Sequence, residues 1–177
     1  MTPTREGHPV WGVYDLYRTA RLNVKYYTCK LSRVESANFY MEAILLVTAP
    51  SSAIAGLWFW ETAVGQNIWQ YLGIASAIIA VLKPSLSLTK KIKKYEEVLS
   101  GYKALEHDLH EIKELIAQKL KYDKEMQSDF KKALKRKGVL VNKEPGEKID
   151  KKLLACCQHE VDTELPAEKF YVPEDLL

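Results

Sequence analysis

Residues 39–83 read FYMEAILLVTAPSSAIAGLWFWETAVGQNIWQYLGIASAIIAVLK, and between Phe39 and Leu82 only Glu42 and Glu61 carry charge. An apolar helix needs about 20 residues to cross a hydrocarbon core ~30 Å thick. The run from Phe39 to Trp60 has that length. The run from Ile68 to Leu82 is shorter, and crosses only by tilting, by thinning the bilayer, or by continuing past Lys83 to Leu86 and Leu88. With the turn ETAVGQN between them, the two runs predict a transmembrane helical hairpin. The competing reading is a helical hairpin buried in a soluble bundle, with which short apolar runs are also compatible.

Charge sets the orientation of such a hairpin. Arg33 precedes the first run, and Lys83, Lys90, Lys91, Lys93 and Lys94 follow the second, whereas the turn has no Lys or Arg. The excess of cations on the cytoplasmic side of membrane proteins places both termini in the cytoplasm. Aromatic rings suit the interfaces: Trp58, Trp60, Trp69 and Tyr71 cluster near the turn, and Phe39 and Tyr40 at the other end. Pro50 is expected to kink the first span by removing one helical hydrogen bond.

Each run carries a face of small residues at helical spacing: Ala49, Ser52, Ala53 and Gly56 on the first, Gly73, Ser76, Ala77 and Ala80 on the second. Such faces let backbones approach closely in lipid. Two readings stand open: the faces pack against each other within the hairpin, or their small polar residues line a path between protomers. Glu42 and Lys83 count to nearly equal depth from the apex near Val64. They pair across the hairpin as an intramembrane charge pair, or each reaches separately to the headgroups.

On the N-terminal side, Val13, Tyr17, Ala20, Val24, Tyr27, Leu31 and Val34 repeat at alternating spacings of 4 and 3, the stripe of a helix laid along another helix. Arg18, Arg21, Lys25, Lys30 and Arg33 fall off that stripe and read as solvated. Beyond Pro84, Val98, Tyr102, Leu105, Leu109, Ile112 and Ile116 repeat the pattern. Gly138 stands where a C′ glycine would end this helix near Lys137. A helix of that length extends roughly 75 Å. One helix approaches the membrane and the other leaves it, so antiparallel pairing is expected, with a leftover stripe of Tyr122, Met126, Phe130 and Leu134 in need of a partner.

The expected organisation is therefore all-α: a transmembrane helical hairpin continued by a long cytoplasmic antiparallel coiled coil. Its parts are a flexible N-terminus (1–8), a cytoplasmic N-terminal helix (9–38), the hairpin (39–83), a long coiled-coil helix (84–138) and a tail (139–177). In the tail, Ile149, Leu153, Leu154, Cys157 and Val161 make one side of a short helix expected to dock on the long one. Phe170 and Tyr171 are anchor points in its acidic end.

Net charge is +3, unevenly spread, with a basic middle and an acidic end. Lys131, Lys132, Lys135, Arg136 and Lys137 complement a helix C-terminus, or alternatively form an anion site. Three cysteines without framework spacing fit a reducing compartment. No apolar segment opens the chain, so the first span would serve as the insertion signal. There is no Gly-rich nucleotide loop, no Ser/His/Asp arrangement and no paired-cysteine motif. Cys156, Cys157, His159 and Glu160 do not read as a metal site, because adjacent cysteines on a helix diverge by about 100°. His107 and His110, flanked by acids, read as a solvated face. No catalytic residue, metal or cofactor is expected, and nucleic acid is not an expected partner.

Trp11, Arg21, Leu22, Asn23, Tyr26 and Tyr27, the apolar hairpin, and the Lys-Lys-x-x-x-Tyr-Glu-x-Leu run within LKPSLSLTKKIKKYEEVLSGYKALEHDL resemble the SLATT proteins over roughly residues 10–125. These are bacterial two-transmembrane effectors found with nucleotide-sensing conflict systems. The resemblance implies an antiviral defence effector that oligomerises in the bacterial inner membrane. There it would form a pore or perturb the bilayer when a separate cytosolic sensor or nucleotide signal fires. The alternative is a membrane anchor whose coiled coil recruits a cytosolic partner.

Overall fold

Every regular element among the described residues is helical. The structure, a computed structural model, describes residues 7–49 and 62–173. Five α-helices follow in order among them: α1 (Trp11–Val47), α2 (Ala63–Leu86), α3 (Leu88–Lys119), α4 (Lys124–Lys143) and α5 (Lys151–Glu164), with a 3-10 turn at Ala167–Lys169. The chain divides into two units, Met1–Cys29 with Lys94–Leu177, and Lys30–Lys93.

In the first unit α1 and α3 run antiparallel. The Tyr17 hydroxyl lies 3.5 Å from His110 Nδ1, Arg21 donates to Glu106 at 3.0 Å, and the Tyr27 and Tyr102 rings stack with centroids 5.9 Å apart. The two stripes meet here: Val13, Tyr17, Ala20, Val24 and Tyr27 are buried, as are Val98, Tyr102, Leu105, Leu109, Ile112 and Ile116. Each such side chain contributes about 1.5–3 kcal/mol on leaving water.

The long helix expected over 84–138 is interrupted. α3 ends at Lys119, Leu120 adopts a left-handed φ of 55°, and Asp123 caps α4 by accepting from the Met126 N–H at 3.1 Å. α4 then returns along α3. Lys143 pairs with Glu97 at 2.8 Å, Arg136 pairs with Asp108, and Tyr102 donates to Glu144 at 2.5 Å. The helices approach so closely that a Cβ on Gly101 would fall 2.2 Å from Leu140 Cδ2. An unbroken helix would leave its far stripe in water, whereas the return buries Met126, Ala133 and Leu140. The stripe therefore finds its partner within the chain, but Leu134 stays 46% exposed.

Gly138 is not a stop. It lies inside α4, which runs on to Lys143, and Pro145 follows. A proline disfavours helical geometry in the residue before it, which here is Glu144 with ψ 142°. Nothing lies within 4 Å of a Cβ added at Gly138. Gly138→Ala should therefore stabilise the chain by about 0.5–1 kcal/mol through helix propensity alone, seen as a higher urea midpoint at unchanged m-value.

α5, capped by Asp150, buries Leu153, Cys157 and Val161, while Ile149 remains 64% exposed. It docks on α1 rather than on the long helix. Arg18 pairs with Asp162 at 2.5 Å, Arg21 with Glu164 at 3.2 Å, and Lys25 with Glu160 and Glu164 at 2.8 and 2.7 Å. These three basic residues, expected to be solvated, instead hold the tail. Beyond α5, Phe170 stacks on Tyr14 at 4.4 Å, and the Tyr14 hydroxyl donates to the Tyr171 carbonyl at 2.5 Å.

These contacts give stability a defined pH window. Hydrogen bonding to Lys25 holds the Glu160 and Glu164 carboxyls below their usual range. Their contribution is present above the unfolded carboxylate pKa of about 4.3 and is lost as pH falls through the folded values. At the other end, burial pushes Tyr14 up to about 12. Burial also raises Tyr27, Tyr95 and Tyr102, reinforced by the Glu144 and Glu147 carboxylates. Unfolded tyrosine ionises near ~10, so that contribution is present below pH ~10 and is lost as pH rises through the folded values. Urea midpoints should accordingly hold steady between about pH 6 and pH 9 and fall on either side.

Candidate functional site

α2 is 24 residues long, capped by Thr62, whose hydroxyl accepts from the Gly65 N–H at 3.0 Å. It is the one helix among the described residues long and apolar enough to cross a membrane, and 0% of its most apolar 18-residue window is buried. Its large apolar side chains lie open: Tyr71, Ile74, Ile78 and Val81 are each more than half exposed. In the first unit residues of the same kind, such as Val98, Leu105, Leu109 and Ile116, are 0% exposed. Phe39 and Tyr40, where the apolar stretch begins on α1, are likewise 66% and 65% exposed.

α2 returns alongside the end of α1. Lys83 Nζ stands 3.1 Å from Glu42 Oε1, which also accepts from Asn38 Nδ2 at 3.1 Å. The expected charge pair therefore occupies one place in the second unit, with Asn38 as a third member that sequence reading missed. Pro84, one residue on, sits inside the last turn, and Ser87 closes the helix in a left-handed conformation with φ 47°. α3 begins at the next residue.

The small residues separate into two groups. Ser76 belongs to a half-buried stripe with Trp69, Leu72, Ile79 and Lys83, and its hydroxyl donates within the helix to the Gly73 carbonyl at 3.0 Å. Gly73, Ala77 and Ala80 are exposed, and nothing lies within 4 Å of a Cβ added at Gly73. On the first run, Ala49 is half-buried just past α1, while Ser52, Ala53 and Gly56, like Pro50, Trp58 and Trp60, lie outside the described residues.

The basic cluster is not at a helix end, because α4 continues beyond it to Lys143. Lys132 pairs with Asp129 at 2.8 Å and Arg136 with Asp108; of the other three, Lys131 and Lys135 are exposed and Lys137 is half-buried. The neighbouring groove of about 260 Å³ is bordered by Asp108, Glu111 and Asp129, carboxylates that would oppose an anion. Among the described residues no group of three His, Cys, Asp or Glu side chains could hold a metal. Cys157 is buried and Cys156 exposed, as divergence on one helix requires. His110 contacts Tyr17, whose ring carries Lys113 Nζ 5.7 Å from its centroid.

Comparison with protein-family models, with curated proteins and with solved structures returns no match. The apolar helix with its exposed small face and polar edge is therefore the candidate site on its own geometry.

Proposed function

We propose that the chain is an oligomeric membrane effector of the bacterial inner membrane. Residues 39–83 form its membrane-inserted hairpin, both termini are cytoplasmic, and a pore or bilayer defect is its output. One observation carries the reading: an apolar helix of spanning length of whose most apolar 18-residue window none is buried among the described residues. A fully exposed Ile or Leu forgoes about 1.5–3 kcal/mol in water, so the favoured surroundings of α2 are lipid and further copies of itself. The soluble-bundle alternative requires a mostly buried α2. Gly73, Ala77 and Ala80, open in the single chain, suit close helix contact between copies. The apolar stripe of the other unit is consumed by α4, so assembly falls to the apolar helices rather than to a coiled-coil seam. The resemblance to SLATT proteins adds the biological setting, antiviral defence with a separate cytosolic sensor or nucleotide signal as trigger.

Expression in bacterial cells loaded with a membrane-potential dye tests this output. Induction should collapse the potential before cell density falls. A potential retained at full expression, with the chain in the membrane fraction, counts for a passive anchor instead.

A further inference from the structure

We propose that Cys29 and Cys157 are a redox modification site, at which a hydroperoxide oxidises the two thiols to a disulfide that ties α5 to α1. Both residues belong to the first unit, so the pair stands apart from the membrane reading. Helix register brings them together. Lys25 pairs with Glu160 at 2.8 Å, Arg18 pairs with Asp162 at 2.5 Å, and the Tyr26 hydroxyl accepts from the Asp150 N–H at 3.2 Å, at the start of α5. α5 therefore runs antiparallel along α1. About one turn beyond Lys25 on α1 comes Cys29, and about one turn before Glu160 on α5 come Cys156 and Cys157. Contacts choose between these two neighbours. Cys29 shares a hydrogen bond with the Cys157 thiol, whereas Cys156 donates to Glu160 Oε1 at 3.8 Å along its own helix.

The two thiols differ in a way that orders the chemistry. Cys29 is exposed, and Cys157 is buried at 2% exposure. Burial pushes the Cys157 thiol above its ordinary range, and Cys29 and Glu160 add to the effect, so Cys157 stays protonated and shielded. A hydroperoxide meets Cys29 first. The Cys29 thiolate attacks the O–O bond: an S–O bond forms, the O–O bond breaks, and hydroxide leaves, becoming water with the proton the thiol gave up. The Cys157 sulfur then attacks the sulfenic sulfur of Cys29: the S–S bond forms, the S–O bond breaks, and the hydroxyl leaves as water with the Cys157 proton. The two thiols together lose two electrons, and one hydrogen peroxide is reduced to two waters. A sulfenic acid without a thiol beside it proceeds to irreversible acids, so the nearness of Cys157 keeps the modification reversible. The ion pairs between α1 and α5 lie at the surface, where each is weak and screened by salt. Oxidation replaces that loose hold on the tail with a covalent one, across a long loop of the kind that gains most from a crosslink.

The test uses the full chain in an uncharged detergent, reduced, freed of reductant and treated with hydrogen peroxide. Remaining thiols are blocked with a maleimide, and a digest cut after lysine and arginine is mapped by mass spectrometry. Residues 26–30, which carry Cys29, should appear joined to residues 153–169, which carry Cys156 and Cys157, with the chain still single on a non-reducing gel. Cys156→Ser should keep the joined peptide and Cys157→Ser should lose it. The oxidised wild type should melt about 5–15 °C above the reduced form, and a dithiol should reverse the shift. Cys29→Ser, at an exposed position, should keep the melting temperature of the reduced wild type and gain nothing from peroxide. A joined peptide that survives Cys157→Ser, a link found only between two copies, or Cys29 carried through to sulfinic acid without joining overturns the proposal.

Discussion

Met126→Ala should destabilise the first unit by about 3 kcal/mol, whereas Leu134→Ala should cost under ~1 kcal/mol. The periodicity of a continuous helix treats these positions alike, eight residues apart on one stripe. The return of α4 does not: Met126 is 1% exposed and Leu134 46%. Removing a buried side chain loses its transfer free energy and leaves a cavity, and removing an exposed one does neither. Urea denaturation followed by circular dichroism reads both, and comparable costs at the two positions would mean that α4 does not fold back as described. Leu105→Ala, at 0% exposure, is the matching control on α3 and should cost as much as Met126→Ala whether or not α4 returns.

Joint replacement of Gly73 and Ala77 by Leu should dissolve the oligomer and reduce depolarisation at least about ten-fold, while leaving membrane insertion intact. Added side chains at Gly73 meet nothing within the chain, so the single copy tolerates them, and the extra apolar surface favours lipid. Between copies the same atoms hold the backbones apart and remove the close packing on which helix association in lipid depends. Ile78 stands off that face, about 140° from Gly73 and about 100° from Ala77 at 100° per residue, and is 53% exposed. Ile78→Leu should leave both assembly and leak unchanged. Light scattering in detergent gives the assembly state, and the dye assay gives the leak. An oligomer that persists in the double variant places the interface elsewhere.

Much of this architecture was legible as spacing. The alternating 4 and 3 steps of Val13 to Tyr27 and of Val98 to Ile116 specified two apolar seams, and their opposite chain directions specified antiparallel pairing. The break at Leu120 was not legible, because a leucine rather than a glycine holds the left-handed position and no proline marks the turn. The available signals were Asp123 as a cap ahead of Met126, and Pro145 rather than Gly138 as the stop. The second face of α1 was misread for a related reason. Arg18, Arg21 and Lys25 share the periodicity of the apolar stripe beside them, and basic residues at that spacing look solvated until the acids of α5 are placed against them. At the candidate site, Glu42 and Lys83 could be matched by counting from the apex. Asn38 could not, since a neutral amide one turn before Glu42 stands out neither by charge nor by hydropathy.

The central claim is that residues 39–83 cross a bilayer twice with both termini on one side. Single cysteines at Val64 and at Lys151, introduced after Cys29, Cys156 and Cys157 are replaced by Ala, report this directly through a membrane-impermeant maleimide on intact cells and on inverted vesicles. Position 64 should label only from outside and position 151 only from the cytoplasmic face. Labelling of both positions from the same side would contradict it.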